Sequence, residues 1–221
     1  MARAETETLE AFSQRLHRAI EGLLVVNDVG LHTVEEYDAN AMWPRYSFPE
    51  HNIPLSIFRG EGEALFLVVR AMRPKLVAEF FTGTGYSAPW MAAAWPQAEV
   101  WSVDNYSEGD AGDRGWDAAC AIRHRLGLSN LQLLRGDASE LSRALERRTV
   151  DFLFVDGTGA ISVLISPRTV VAFHDQSAVG LRDIRVMGGS YLKFHSEDDA
   201  VLRTVRDALA PRFRLMDNSL P

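Results

Sequence analysis

Between Glu5 and Val26 the apolar residues Leu9, Phe12, Leu16, Ile20, Leu23 and Leu24 recur at steps of three and four among polar neighbours. That period predicts a helix with one apolar face, which needs a surface to cover it. Residues 27–60 lose the period. Pro44, Pro49 and Pro54 interrupt it, and Trp43, Tyr46, Phe48 and Phe58 are scattered through chain that reads as irregular. After "RGEGEAL" a helix is predicted to about Met72, and beyond it short apolar runs alternate with helical periods. The runs are "KLVAEF", "EVWSVD", "LQLLRG", "VDFLFVD" and "TVVAFHD"; the helical patterns cover Ser87 to Trp95, Arg114 to Leu126 and Ser139 to Arg147. Such alternation predicts an α/β fold, a doubly wound, mostly parallel sheet covered by helices. We divide the chain into an N-terminal helix and loop cap, 1–60, and an α/β domain, 61–221.

Composition restricts what this fold serves. The chain has 221 residues, 47% of them hydrophobic and 24% charged, which suits one globular core with a modest extension. A formal net charge of -7 with no basic stripe excludes a nucleic-acid backbone as the natural partner and points to a small molecule. No apolar h-region opens the sequence, and "ALFLVV", Ala64 to Val69, is too short to span a bilayer, so we expect a cytoplasmic protein without membrane contact. The single cysteine, Cys120, rules out an internal disulfide and a multi-cysteine zinc site, and within its helical stretch it reads as a small buried apolar residue.

The stretch "VAEFFTGTGYSAPW" is the first strand-to-helix turn of the predicted sheet. Ligands in doubly wound folds bind at the carboxyl ends of strands, where the strand order reverses. Gly83 and Gly85 let the backbone approach a ligand closely. Asp104 ends the second run, 19 residues after Gly85, where a carboxylate accepts from ribose hydroxyls, and Asp137 ends the third, where an adenine amino group is within reach. Together they predict a nucleoside-containing cofactor. "GTGYSA" also satisfies the dinucleotide fingerprint G-x-G-x-x-G/A, and Asp104 suits the ribose of NAD. Dinucleotide enzymes with such a sheet normally begin at their glycine-rich unit, whereas here about 75 residues precede it.

The residues from Glu61 to Gln176 resemble class I S-adenosylmethionine (SAM)-dependent O-methyltransferases, the small-molecule branch that includes catechol O-methyltransferase. In that branch a strand ending in Glu leads into a turn closing with Gly-Tyr-Ser, here Glu79 and then Gly85, Tyr86 and Ser87. "DFLFVDG" and "FHD" are similar to the macrolide-sugar O-methyltransferases, which hold a divalent metal at those strand ends. The resemblance implies a Rossmann-like sheet of seven strands and SAM over the first turn, in contact with Glu79, Phe81, Thr82, Gly83, Gly85, Tyr86, Ser87, Asp104 and Asp137. It further implies methyl transfer to a hydroxyl of a natural-product-like acceptor from secondary metabolism, and is compatible with a homodimer. A magnesium ion would fall on Asp156, Asp175 and Gln176, with Gln in place of the family's Asn, lowering the acceptor's pKa.

The sequence departs from that family in further places. Phe81 occupies the position of the first turn glycine. "DGTGAI" after Asp156 offers neither the lysine nor the histidine that helps to deprotonate the acceptor, which leaves His174 as first candidate for the base and His195 and Lys193 behind it. Only residues 157–169 connect the fourth and fifth runs, barely a crossover with its helix. Three alternatives therefore stay open: a SAM-consuming lyase or cyclase on the same fold, an NAD-dependent dehydrogenase, and a catalytically silent binding subunit.

Overall fold

The structure is a computed structural model, and it describes residues 7–26, 47–48, 53–54, 57, 59–107, 110–146, 148–156, 165–174, 183–186 and 192–217. The first helix, α1 (Leu9–Val26), is followed by a two-stranded antiparallel ribbon, β1 (Ser47–Phe48) with β2 (Ile53–Pro54). Next come α2 (Arg59–Met72), β3 (Leu76–Phe80), α3 (Ser87–Ala94), β4 (Glu99–Asp104), α4 (Asp110–Leu126), β5 (Leu131–Arg135), α5 (Ala138–Ala144) and β6 (Phe152–Asp156). The chain closes with β7 (Val170–His174), β8 (Asp183–Val186), β9 (Lys193–His195), α6 (Asp199–Leu209) and β10 (Leu215–Asp217).

The main sheet runs β10-β8-β9-β7-β6-β3-β4-β5. β5, β4, β3, β6 and β7 are mutually parallel; β9 runs antiparallel to β7 and to β8, and β10 antiparallel to β8. Strand order reverses at β3, between β4 and β6, which sets a switch-point crevice at the carboxyl ends of β3 and β6. The expected doubly wound, mostly parallel sheet is thus present, with eight strands rather than seven. The additional strand is β10, three residues paired to the edge of β8 through Leu215, Met216 and Asp217.

Side chains alternate between the two sheet faces, and this alternation decides what reaches the crevice. Val77, Val100, Phe152, Phe154, Val170 and Ala172 share one core with apolar residues of α1, α2, α3, α4 and α6. Leu76, Ala78, Phe80, Val103, Leu153, Val155, Val171 and Phe173 share the other, with Leu141 of α5 and Leu145 beyond it. Continuing the first parity along each strand puts Glu79, Ser102, Asp104, Asp156 and His174 on the face of the larger core, all at or near strand carboxyl ends. The helix α1 belongs to that core as well. Phe12 packs at 5.8 Å on Phe66 of α2 and at 5.1 Å, edge to face, on Trp90 of α3.

Candidate functional site

The turn between β3 and α3 is held by the neighbouring strand. Phe81 N–H donates to the Val103 carbonyl at 2.8 Å, Gly85 N–H donates to Thr82 O at 2.8 Å, and Gly83 N–H donates to Asp104 Oδ2 at 2.8 Å. Asp104 Oδ1 accepts from Tyr106 N–H at 3.0 Å, so this carboxylate ties the first turn to the loop after β4 and keeps its remaining lone pairs for a ligand. Gly83 and Gly85 lie at φ of 53° and 79°. A Cβ on Gly85 would fall 2.6 Å from Cα of Ala119, so this glycine lets α4 close on the turn. Tyr86 and Ser87 are buried at the head of α3, where Tyr86 packs edge to face on Trp90.

Phe81 also adopts a left-handed backbone, with φ of 71°, and its side chain stays 39% exposed. Side chains with a Cβ occupy that region at a cost of about 1–2 kcal/mol. Tyr106, at φ of 49°, does the same across the turn. Two strained aromatic residues therefore flank the glycine turn at the sheet's carboxyl edge, where such strain concentrates in binding sites.

Below the turn Glu79 is fully buried. Its Oε2 accepts from Ser102 Oγ, which lies 2.5 Å from Thr82 Oγ1, while Oε1 meets no donor in hydrogen-bond geometry among the described residues. Burial pushes the Glu79 carboxyl up to about 8; the Ser102 and Ser87 hydroxyls oppose the rise, and the Asp156 and Asp104 charges add to it.

His174 sits beside Asp156 in the β6/β7 register. Its Nδ1 is 2.8 Å from Asp156 Oδ1 and its Nε2 3.1 Å from Glu61 Oε2, with Glu61 fully buried in the first turn of α2. Burial alone would push the imidazole down, but the two flanking carboxylates overcome it and carry the pKa up to about 10. Near neutral pH His174 is thus an imidazolium with both nitrogens engaged, a state that accepts no proton from an acceptor. This removes the reason for making it the first candidate base.

The other expected residues are placed differently. Asp137 caps α5: its Oδ1 accepts from Ser139 N–H at 2.8 Å and Glu140 N–H at 3.2 Å, while the Glu140 carboxylate accepts from the Asp137 N–H in return. Those bonds, led by that of the Ser139 hydroxyl, hold its pKa low. Lys193 and His195 lie on β9. Asp175 and Gln176 lie outside the described residues. Among the described residues no group of three His, Cys, Asp or Glu side chains is arranged to hold a metal ion, and Asp156 Oδ1 already faces a cationic imidazole, which does not fit a further cation. Glu61 carries no signal in the sequence. An acidic residue in a first helical turn ordinarily favours the helix dipole and faces water, and only the fold brings this one to a histidine 113 residues later.

No family model matches this chain, and no curated protein matches it. Solved structures do match. A methyltransferase from Geobacter sulfurreducens is 21% identical, over 75% of this chain and 88% of that one, with a TM-score of 0.52. A methyltransferase from Podospora anserina, bound to S-adenosylhomocysteine (SAH), is 16% identical, over 90% of this chain and 99% of that one, with a TM-score of 0.52. At such identities the likeness is one of fold, a Rossmann-like, mostly parallel sheet covered by helices. No helix among the described residues is long and apolar enough to cross a membrane.

Proposed function

We propose that the chain binds SAM at the carboxyl ends of β3 and β4 and transfers its methyl group to a hydroxyl of a small-molecule acceptor. The observation that carries this reading is the arrangement of a buried Glu79, a left-handed glycine turn and Asp104 around one switch-point crevice. These residues fit the cofactor: Asp104 keeps acceptor capacity for the ribose, Glu79 presents a buried carboxyl below the turn, and Gly85 brings α4 close to it. When bound, SAM supplies a methyl group already activated on a sulfonium.

The chain's own residues then orient and exclude water, the main tasks left in a direct displacement. Since the His174 imidazolium takes no proton near neutral pH, the reading favours acceptors whose hydroxyl gives up its proton to solvent most readily, phenols rather than alcohols. The two carboxylates on His174 hold the ends of β6 and β7 together with α2, which gives the acceptor side of the crevice a fixed wall.

A thermal-shift comparison with SAM, SAH, NAD and NADP tests the reading, because a ligand that binds only the native state raises its stability. SAM and SAH should stabilise the protein and the nicotinamide cofactors should not. Asp104→Ala should weaken SAM binding by tenfold or more, the equivalent of about 1.5–3 kcal/mol for one charge-assisted hydrogen bond. Stabilisation by NAD instead, or SAM affinity unchanged in Asp104→Ala, would overturn it. Mass spectrometry of SAM incubated with the protein separates a lyase or cyclase, which would consume it without an acceptor.

A further inference from the structure

Glu79 occupies a position that cannot hold a charge unaided. Across the sheet it faces Ser102 on β4 and Phe154 on β6, and the Thr82 and Ser87 hydroxyls lie above it. The charged groups nearest to it, Asp104 at the end of β4 and Asp156 at the end of β6, are acidic, and the phenol of Tyr106 offers no positive charge either. The His174 imidazolium at the end of β7 is already shared by Asp156 and Glu61. Among the described residues nothing neutralises a Glu79 carboxylate, whereas a neutral carboxyl meets the Ser102 hydroxyl without charge.

We propose that Glu79 is protonated in the empty site and ionises as SAM binds, so that capture of the cofactor exchanges the positive charge of a proton for the net positive charge of the ligand. This inference rests on the SAM reading above. The step balances: the neutral carboxyl and the cationic cofactor become a carboxylate–cation pair, and one proton leaves to solvent. Ser102 and Thr82 form a hydroxyl chain from the carboxyl to the turn, along which the proton can pass outward. The group's pKa of about 8 supports the same conclusion, since most copies of the empty protein then carry the proton near pH 7.

Proton exchange separates Glu79 from its neighbours. Ionic binding by an ordinary aspartate releases no proton at neutral pH, because a carboxyl of the usual pKa, about 4, is ionised before the ligand arrives. His174 keeps its proton between two carboxylates, and Tyr106 is pushed upward by burial, so neither loses one near pH 7. The cofactor's own amine, if it shifts on pairing with a carboxylate, takes a proton up and has the opposite sign.

The test is titration calorimetry of SAM into the full chain at pH 7.2, in phosphate and in Tris, whose ionisation enthalpies differ widely. The wild type should release close to one proton per site, read from the difference in apparent enthalpy, and its affinity should rise towards tenfold from pH 6 to 7. Glu79→Gln, nearly isosteric, should still bind SAM, with an enthalpy independent of buffer. Binding in the wild type with no buffer dependence overturns the proposal and leaves the SAM reading standing. Proton release undiminished in Glu79→Gln also overturns it. Absence of both binding heat and thermal stabilisation by SAM overturns the reading on which it rests.

Discussion

Glu79 and His174 both carry pKa values raised by the fold, and the two make stability depend on pH in the same direction. Glu79 moves from 4.5 to about 8, so its contribution is complete below pH 4.5 and is lost as pH rises through 8. His174 moves from 6.5 to about 10, so its contribution is complete below 6.5 and is lost as pH rises through 10. The melting temperature of the ligand-free protein should therefore fall steadily between pH 5 and 9. Each tenfold gain in proton affinity on folding is worth about 1.4 kcal/mol, which makes the Glu79 share on the order of 5 kcal/mol. In Glu79→Gln the fall below pH 7 should largely disappear while the fall above pH 8 remains, which calorimetric scans across that range would show. Phe81 poses a different balance: its left-handed backbone costs about 1–2 kcal/mol while its half-covered ring returns a similar amount. Phe81→Gly should then change the free energy of unfolding in urea by about 1 kcal/mol or less, and Phe80→Ala next to it, inside the smaller core, should cost about 3–5 kcal/mol. The placement of Glu79 near the end of the first strand and of Phe81 in the turn after it is legible in the sequence. The role of Glu61 is not, because its partner is chosen by the approach of α2 to β7 and leaves no local pattern.

At the scale of elements, the buried strands are the most legible part of the molecule. β3, β6 and β7 are apolar over nearly their whole length because helices cover both faces of the parallel sheet, and such runs stand out against polar turns. "EVWSVD" matches β4 residue for residue. β10 is hidden in the sequence, since an edge strand of three residues, open to water on one side, needs no apolar run and shows no sustained alternation. Helix ends are less legible: α4 begins at Asp110, four residues before the predicted start, because Gly112 and Gly115 weaken the helical pattern there. Those glycines have a packing reason. A Cβ on Gly112 would fall 2.4 Å from the Tyr106 carbonyl oxygen, so the start of α4 presses directly on the strained loop. The same closeness makes the contact of α4 with the turn sensitive. Gly85→Ala meets both the left-handed φ and the Ala119 backbone, and should destabilise the protein by more than about 2 kcal/mol. It should also weaken SAM binding, whereas Gly127→Ala, equally left-handed but with nothing within 4 Å, should cost stability alone. Parallel denaturation and calorimetry on the two variants would check the contrast.

Across the whole molecule, the division at residue 60 meets a core that crosses it. Leu9, Phe12, Leu16 and Ile20 of α1 are buried among residues of α2, α3 and α4. Arg15 donates to the Leu126 carbonyl at 2.7 Å, Arg125 donates to Ala19 O at 2.8 Å, and Arg212 bridges Glu10 of α1 and Glu63 of α2. We expect a chain beginning at residue 61 to expose the apolar surface of Phe66 and Trp90 and to lose cooperative unfolding, which circular dichroism during a urea titration would report; a sharp transition at the full-length midpoint would argue for a separable cap. Long-range closure of this kind also orders events during synthesis. The amphipathic helix leaves the ribosome before the elements it packs on, and the carbonyl that Arg15 holds is made 111 residues later. At roughly 5–20 residues per second that interval is about 5–20 seconds, far longer than a helix or a local collapse needs to form. Until Phe66 and Trp90 follow, the apolar stripe around Phe12 lacks the rings that cover it in the fold, a surface of the kind that makes a nascent chain prone to aggregate.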